Sequence, residues 1–191
     1  MRVILYNMSW MSFNILLALI AVLFGWLMKR TKLIPLRILY TLVWFLFLPN
    51  TLYLLTDLVH LYQNMQRVGG LDIVIVAFQY LLLLLLGMIT YFAAVYPVEK
   101  IAVEKMKWNR TIFILLINVL VSIGITLGRV ERTNSWYFVT NLSRVLHDSI
   151  QLFTSVNLVL LTLILTLLNT VLYFILRTSL LLSQDKVVYE R

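Results

Sequence analysis

Five long apolar stretches, parted by short polar and basic segments, dominate the pattern of this chain. They cover residues 8–28, 34–48, 73–95, 111–127 and 152–176. A helix needs about 20 mostly apolar residues to cross the roughly 30 Å of a bilayer's hydrocarbon. Each stretch is therefore expected to be a transmembrane helix. The second is short, since its roughly 15 residues span only about 22 Å at about 1.5 Å each. It must continue past Pro49 and Asn50 into the apolar residues that follow. Proline lacks an amide donor and crowds the carbonyl four residues back. A kink is expected around 45–49, with the helix resuming toward His60. The alternative is a stop at Leu48 followed by a separate interfacial helix. Gly69 and Gly70 mark a turn, with Asp72 placed to cap the third long helix. Residues 98–110 read as a charged, partly amphipathic connector anchored by Trp108.

Composition strengthens this picture. The chain is 62% hydrophobic and 13% charged over 191 residues, against about 45–50% and about 25% in soluble domains. The fold class expected is an all-α integral membrane protein, one domain over 1–191, with about five transmembrane helices. With no cysteine, disulfides, cysteine metal sites and thiol nucleophiles are excluded. No internal repeat is visible, so the inverted-repeat transporter architecture has no support.

The net charge of +8 is explained by orientation rather than by nucleic-acid binding, because the basic residues are scattered among loops. Cytoplasmic loops of membrane proteins are rich in Lys and Arg. With the N-terminus outside and the C-terminus in the cytoplasm, the inner segments carry Lys29, Arg30, Lys32, Arg37, Lys100, Lys105, Lys107, Arg110, Arg177, Lys186 and Arg191. The outer ones carry only Arg2, Arg67, Arg129, Arg132 and Arg144. A multi-pass protein of a cell membrane is expected. The first apolar run ends in Lys29, Arg30 and Lys32 without a small-x-small cleavage site, so it reads as a retained span.

Two polar blocks stand out, and this topology puts both on the outer side. In the first, Asn50, Tyr53, Asp57, His60 and Asn64 fall within an arc of about 80° on a helix advancing about 100° per residue. A stripe that narrow is expected to meet protein groups rather than open water. The second block holds Arg129, Arg132, Asn134, Ser135 and Trp136, followed by a helix bearing Asn141, Arg144, Asp148 and Gln151. The planar donor fork of arginine matches phosphate or carboxylate. Plainer readings stand beside these. Asp57 serves equally as counter-ion to Arg129 or Arg132, and His60 as a structural histidine. Arg144 and Asp148 have the spacing of an i,i+4 ion pair. His147, Asp148, Asp57 and His60 lack any metal-ligand spacing, so no metal and no cofactor is expected. Within the spans, Gln79, Asn118, Ser122, Asn157, Asn169, Thr162, Thr166 and Thr170 are explained by interhelical hydrogen bonds. On these boundaries no ionisable residue lies deep in a span, which disfavours a proton-coupled transporter. Gly25, Gly87 and Gly124 are expected to permit close helix contact.

The run from Phe47 through Leu61 resembles the pattern F-L-P-N-x-x-Y-x-x-T-D-L-x-H-L of a bacterial multi-pass family known as domain of unknown function 1361. The segment from Gly128 to Trp136 resembles that family's second block, G-R-x-x-R-x-N-S-W. The likeness extends over about residues 36–140 in the same order. It departs at Tyr137, where relatives often carry an acid. The resemblance implies a membrane protein and brings no activity with it.

The functional expectation is a site at the outer membrane–water boundary. In it Asn50, Tyr53, Asp57 and His60 face Arg129, Arg132, Asn134, Ser135 and Trp136. The arginines would hold the phosphate of a phospholipid or polyprenyl-phosphate headgroup, making membrane lipids the expected partners. Were the protein an enzyme, His60 would be the general base, oriented by Asp57. The rivals are an accessory or scaffold subunit with a membrane-protein partner, and a solute carrier.

Overall fold

The structure is a computed structural model that describes residues 2–189, with side chains through residue 180. All of its elements are helical among the described residues: α1 (Arg2–Arg30), α2 (Ile34–Phe47), α3 (Pro49–Thr56), α4 (Val59–Met65), α5 (Leu71–Lys100), a π-helical turn (Ile101–Lys105), α6 (Arg110–Val130), α7 (Tyr137–Thr140), α8 (Leu142–Thr154) and α9 (Val156–Tyr189). Among the described residues, five segments are long and apolar enough to cross a membrane: Arg2–Arg30, Ile34–Thr56, Leu71–Lys105, Arg110–Val130 and Val156–Leu180. The chain divides into two compact units, Met1–Val98 and Glu99–Arg191, and each is described by itself.

Unit one is built on a seam of small and polar residues along α1. Asn7, Met11, Ala18, Ala21, Gly25 and Met28 are buried, while Leu16, Leu19 and Leu23 point outward. A soluble helix would do the reverse. Lipid tails solvate leucine as well as another helix does, so helices in bilayers meet along small residues that let backbones approach. At Gly25 the approach is extreme: a Cβ there would lie 2.7 Å from the Ala94 carbonyl oxygen. That carbonyl also accepts the Trp44 indole N–H at 3.0 Å. At Gly87 a Cβ would lie 3.0 Å from the carbonyl oxygen of Thr51.

The second span is kinked rather than stopped. Leu48 keeps helical dihedrals (φ −56, ψ −42) between α2 and α3. Pro49 has no amide to donate, and the next turn tightens, with the Thr51 N–H donating to Leu48 O at 3.1 Å. That leaves the Phe47 carbonyl, the ordinary i−4 acceptor for Thr51, to be satisfied by the Asn50 side-chain amide at 3.1 Å. Leu48 O also accepts the Thr51 hydroxyl at 2.8 Å. Pro-Asn-Thr thus carries both the kink and its repair. A second interruption, at Asp57–Leu58, was not expected from the sequence. There the amides of Leu58, His60 and Leu61 donate three residues back, in the manner of a 3₁₀ turn.

Unit two centres on antiparallel α6 and α9. The inward stripe of α9 is Thr162, Thr166, Asn169 and Tyr173, and leucines cover its outside. Asn118 Nδ2 donates to Thr170 Oγ1 at 3.1 Å, Asn169 Nδ2 to Ser122 Oγ at 3.1 Å, and the Thr126 and Thr162 hydroxyls share a bond at 3.1 Å. Two of the residues expected to bond between helices do not: Asn157 is exposed, and the Thr166 hydroxyl donates within α9, to Thr162 O at 2.8 Å.

The third long helix departs from expectation at both ends. Asp72 sits inside its first turn, where a carboxylate favours the helix dipole, rather than at the cap. At the other end the helix runs through Pro97 to Lys100 and then widens into the π-helical turn, where Met106 N–H reaches Ile101 O. Most of the expected connector is therefore helical, and this carries Glu99 into the apolar segment.

Candidate functional site

The first polar block belongs to unit one. The turn at Asp57–Leu58 breaks the continuous helix on which the stripe was drawn, and its members part company. Asp57 is 3% exposed and accepts from Asn14 Nδ2 at 3.3 Å. His60 is exposed, and its backbone N–H donates to Asp57 O at 2.9 Å. Asn64 turns inward and donates to Asn7 Oδ1 at 3.2 Å and to the buried Tyr80 hydroxyl at 2.8 Å. The same Asn7 Oδ1 accepts the Trp10 indole at 3.2 Å, and Asn7 Nδ2 reaches Gln79 Oε1 at 3.4 Å. Asn50 and Tyr53 are half-buried. The stripe therefore contributes to a polar network that binds α4 to α1 and α5. Asn7, Asn14 and Tyr80 were missed by the sequence reading. For the two asparagines the signal was the spacing of the α1 seam, on which they fall with the buried alanines.

The second block belongs to unit two. α6 ends at Val130, and Arg132 adopts φ 55, a left-handed conformation that glycine usually supplies after a helix. The amides of Glu131 and Thr133 both fold back onto Leu127 O at 3.1 Å. Thr133 is buried and its hydroxyl donates to the buried Asp148 carboxylate. Arg144 Nε lies 3.6 Å from Asp148 Oδ2, so the expected i,i+4 pair is present. Arg144 also donates to Glu131 O at 3.2 Å and lies over the Tyr137 ring. These contacts staple α8 to the turn after α6. Asn134 and Trp136 are exposed, and Arg129 and Ser135 are half-buried. Arg132 is exposed and forms no ion pair among the described residues.

Helix α8 has three faces. At about 100° per residue, Val145, Asp148, Ser149 and Leu152 share one arc of about 100°, Leu142, Leu146, Ile150 and Phe153 a second of about 80°, and Ser143, Arg144, His147 and Gln151 a third of about 100°. The first faces the unit, while the second is fully apolar yet exposed. The third is polar and exposed.

At the far end of α6 lies a cluster the sequence reading did not find. Glu99 is 1% exposed. Its carboxylate accepts Arg110 Nε at 2.7 Å, Arg177 Nε at 3.1 Å and the Tyr173 hydroxyl. Carboxylate burial of this depth requires such partners. The signal was the inward stripe of α9, which leads through Tyr173 to Arg177 and so calls for an acid opposite.

The family model described as "Protein of unknown function (DUF1361)" matches residues 13–172. The chain belongs to this family. The matched span takes in both polar blocks, Glu99 and Arg110, and stops just before Tyr173. No curated protein and no solved structure matches the chain. Family membership therefore fixes the kind of chain without assigning an activity, and function must be argued from the residues.

Proposed function

We propose that this chain is an integral, multi-pass protein of a cell membrane, with its N-terminus outside, that holds the anionic headgroup of a phospholipid or polyprenyl phosphate beside α8. The observation that carries this reading is the three-faced α8 next to an unpaired arginine. A helix with a protein face, an exposed apolar face and an exposed polar face fits a position in the plane of the interface, with the apolar arc among acyl chains. Trp136 suits the same level. Arg132, with Asn134 and Ser135 nearby, then meets headgroup phosphate. The left-handed conformation of Arg132 supports this, since it costs a non-glycine residue roughly 1–2 kcal/mol at a position glycine would fill without strain. The proposal rests on unit two's own residues.

The test is native mass spectrometry of the purified chain taken from phosphatidylcholine nanodiscs doped with phosphatidylglycerol or a long-chain polyprenyl phosphate. Arg132→Gln is expected to lose one retained anionic lipid, with binding weakened about tenfold or more, as for a charged hydrogen-bond partner. Arg132→Gly is expected to lose the same lipid while melting at a higher temperature. Unchanged retention in both variants removes the reading. A fixed stoichiometric protein partner in place of lipid favours an accessory subunit instead.

A further inference from the structure

We propose a second lipid site, at the opposite end of unit two from α8, in which Arg110 and Arg177 bind the phosphate of an anionic phospholipid whose acyl chain lies along α9. The geometry of the Glu99 cluster is the starting point. Both arginines spend Nε on the buried carboxylate. Among the described residues, the terminal Nη groups of both have no acceptor. The carboxylate thus acts as a clamp that orders two guanidinium planes and leaves their outer donors unspent. Two positive charges against one negative leave the cluster cationic. Tyr173 occupies Glu99 further, so the acid cannot neutralise a third group. The arginine side chains are 43% and 23% exposed, which leaves them accessible to a ligand. Phosphate, with several acceptor oxygens, fits paired donor forks better than a monovalent halide does.

A lipid is favoured over a free anion by what adjoins the arginines. An open groove of about 550 Å³ runs along α9, lined by Val171, Phe174, Ile175 and Thr178 among others. Arg177 directly precedes the lining residue Thr178 in α9. Phe174 packs edge-on against Tyr173, so one wall of the groove is tied to the residue that holds Glu99. In the segment that leads into α6 and Arg110, Lys105 and Lys107 are exposed, and so are the apolar Met106 and Trp108. Trp108 is held in place by its N–H to Ala102 O at 3.1 Å and by an edge-on contact with Phe113. Lysines for the headgroup layer and large apolar side chains for the acyl boundary are the mixture that anionic leaflets attract. α6 has 21 residues, about 30 Å at about 1.5 Å each. The two ends of unit two are therefore one hydrocarbon thickness apart, and each has its own arginine set.

The experiment is again retention in native mass spectrometry, with phosphatidylglycerol as the probe and phosphatidylcholine as the control. The wild-type chain is expected to keep two phosphatidylglycerol molecules. Ile175→Trp fills the groove without touching the polar cluster and is expected to keep one. Arg110→Gln leaves Glu99 paired with Arg177 and Tyr173, and is expected to weaken the same lipid about tenfold. Arg132→Gln removes the other lipid, so the two sites fail independently. Wild-type retention in both Ile175→Trp and Arg110→Gln overturns the proposal. Equal loss of phosphatidylcholine overturns it too, since that is ordinary annular lipid. Capture of inorganic phosphate by the lipid-free chain, undiminished by Ile175→Trp, overturns the lipid assignment in favour of a free-anion site.

Discussion

At Gly25 and Gly87 a single hydrogen in place of a methyl group decides whether two backbones can meet. The space available at the two positions differs, and so must the cost of filling it. A Cβ at Gly25 would press within 2.7 Å of a backbone carbonyl oxygen already engaged by Trp44, with the indole ring at 3.2 Å. Neither neighbour moves without breaking the other's hydrogen bond. At Gly87 the nearest atoms are at 3.0 Å and 3.1 Å, so a shift of a few tenths of an ångström accommodates a methyl group. Overpacking in a tight core costs about 1–3 kcal/mol. Gly25→Ala is expected near the top of that range and Gly87→Ala near the bottom, read as the loss of melting temperature in detergent. Equal losses would show that the Trp44–Ala94 contact yields more readily than its geometry implies. Both glycines were legible in the sequence as small residues within apolar runs. Their ranking was not, because it depends on which carbonyl stands opposite.

The kink between α2 and α3 shows what an element can and cannot reveal before its structure is known. Pro49 announced the kink, since a missing donor and a ring clash follow from its covalent structure. Asn50 appeared as a ligand-binding residue on the polar stripe, and the structure adds a local duty: its amide supplies the Phe47 carbonyl that the tightened turn abandons. Asn50→Ala is accordingly expected to cost about 1–2 kcal/mol, the range for a hydrogen bond lost from a part-buried carbonyl, measured by thermal denaturation in detergent. Asn50→Gln, which extends the amide by one methylene, should recover little of this, and full recovery would show that the amide's position is not critical. The turn at Asp57–Leu58 escaped the sequence reading because no proline or glycine marks it. Helical arithmetic assumes an uninterrupted helix, so the stripe's angular positions held only as far as Thr56. The same limit explains Glu99. The third span was expected to end at Val95, yet α5 passes through Pro97 to Lys100, and a boundary misplaced by a few residues hid a buried acid together with its two arginines. α8 was legible in outline, as a helix with Arg144 and Asp148 one turn apart. Its exposed apolar face was not, because an apolar arc distinguishes itself from a core-facing one only when the structure leaves it exposed.

At the scale of the whole chain, the proposed five crossings carry one constraint that no residue or helix supplies: were all five apolar helices to cross, their odd number would put the two termini on opposite sides of the membrane. The proposed sign of that arrangement rests on the basic residues, which favour the cytoplasm. Eleven fall around the end of α1, around the π-helical turn and from Arg177 on, against one after α3, Arg67, and three around α7–α8. The native chain contains no cysteine, so single introduced thiols report sidedness without background. The structure selects the positions. Asn64 is a poor choice, since its amide joins Asn7 and Tyr80, whereas its neighbour Gln63 is exposed. Glu104 and Thr140 are exposed as well. In intact cells a membrane-impermeant maleimide is expected to label Gln63→Cys and Thr140→Cys but to reach Glu104→Cys only after permeabilisation. The opposite pattern inverts the topology and moves the α8 headgroup site to the cytoplasmic face. Labelling of Gln63→Cys and Thr140→Cys from different sides is the more damaging outcome. The segment after α3 and the α7–α8 segment are separated by two spans, α5 and α6, and two crossings must return the chain to the side it left. Such a result would mean that α5 or α6 does not cross at all. If α6 is the helix that fails, the Glu99 cluster and the α8 rim no longer bracket a bilayer, and the case for lipid at either end falls with it.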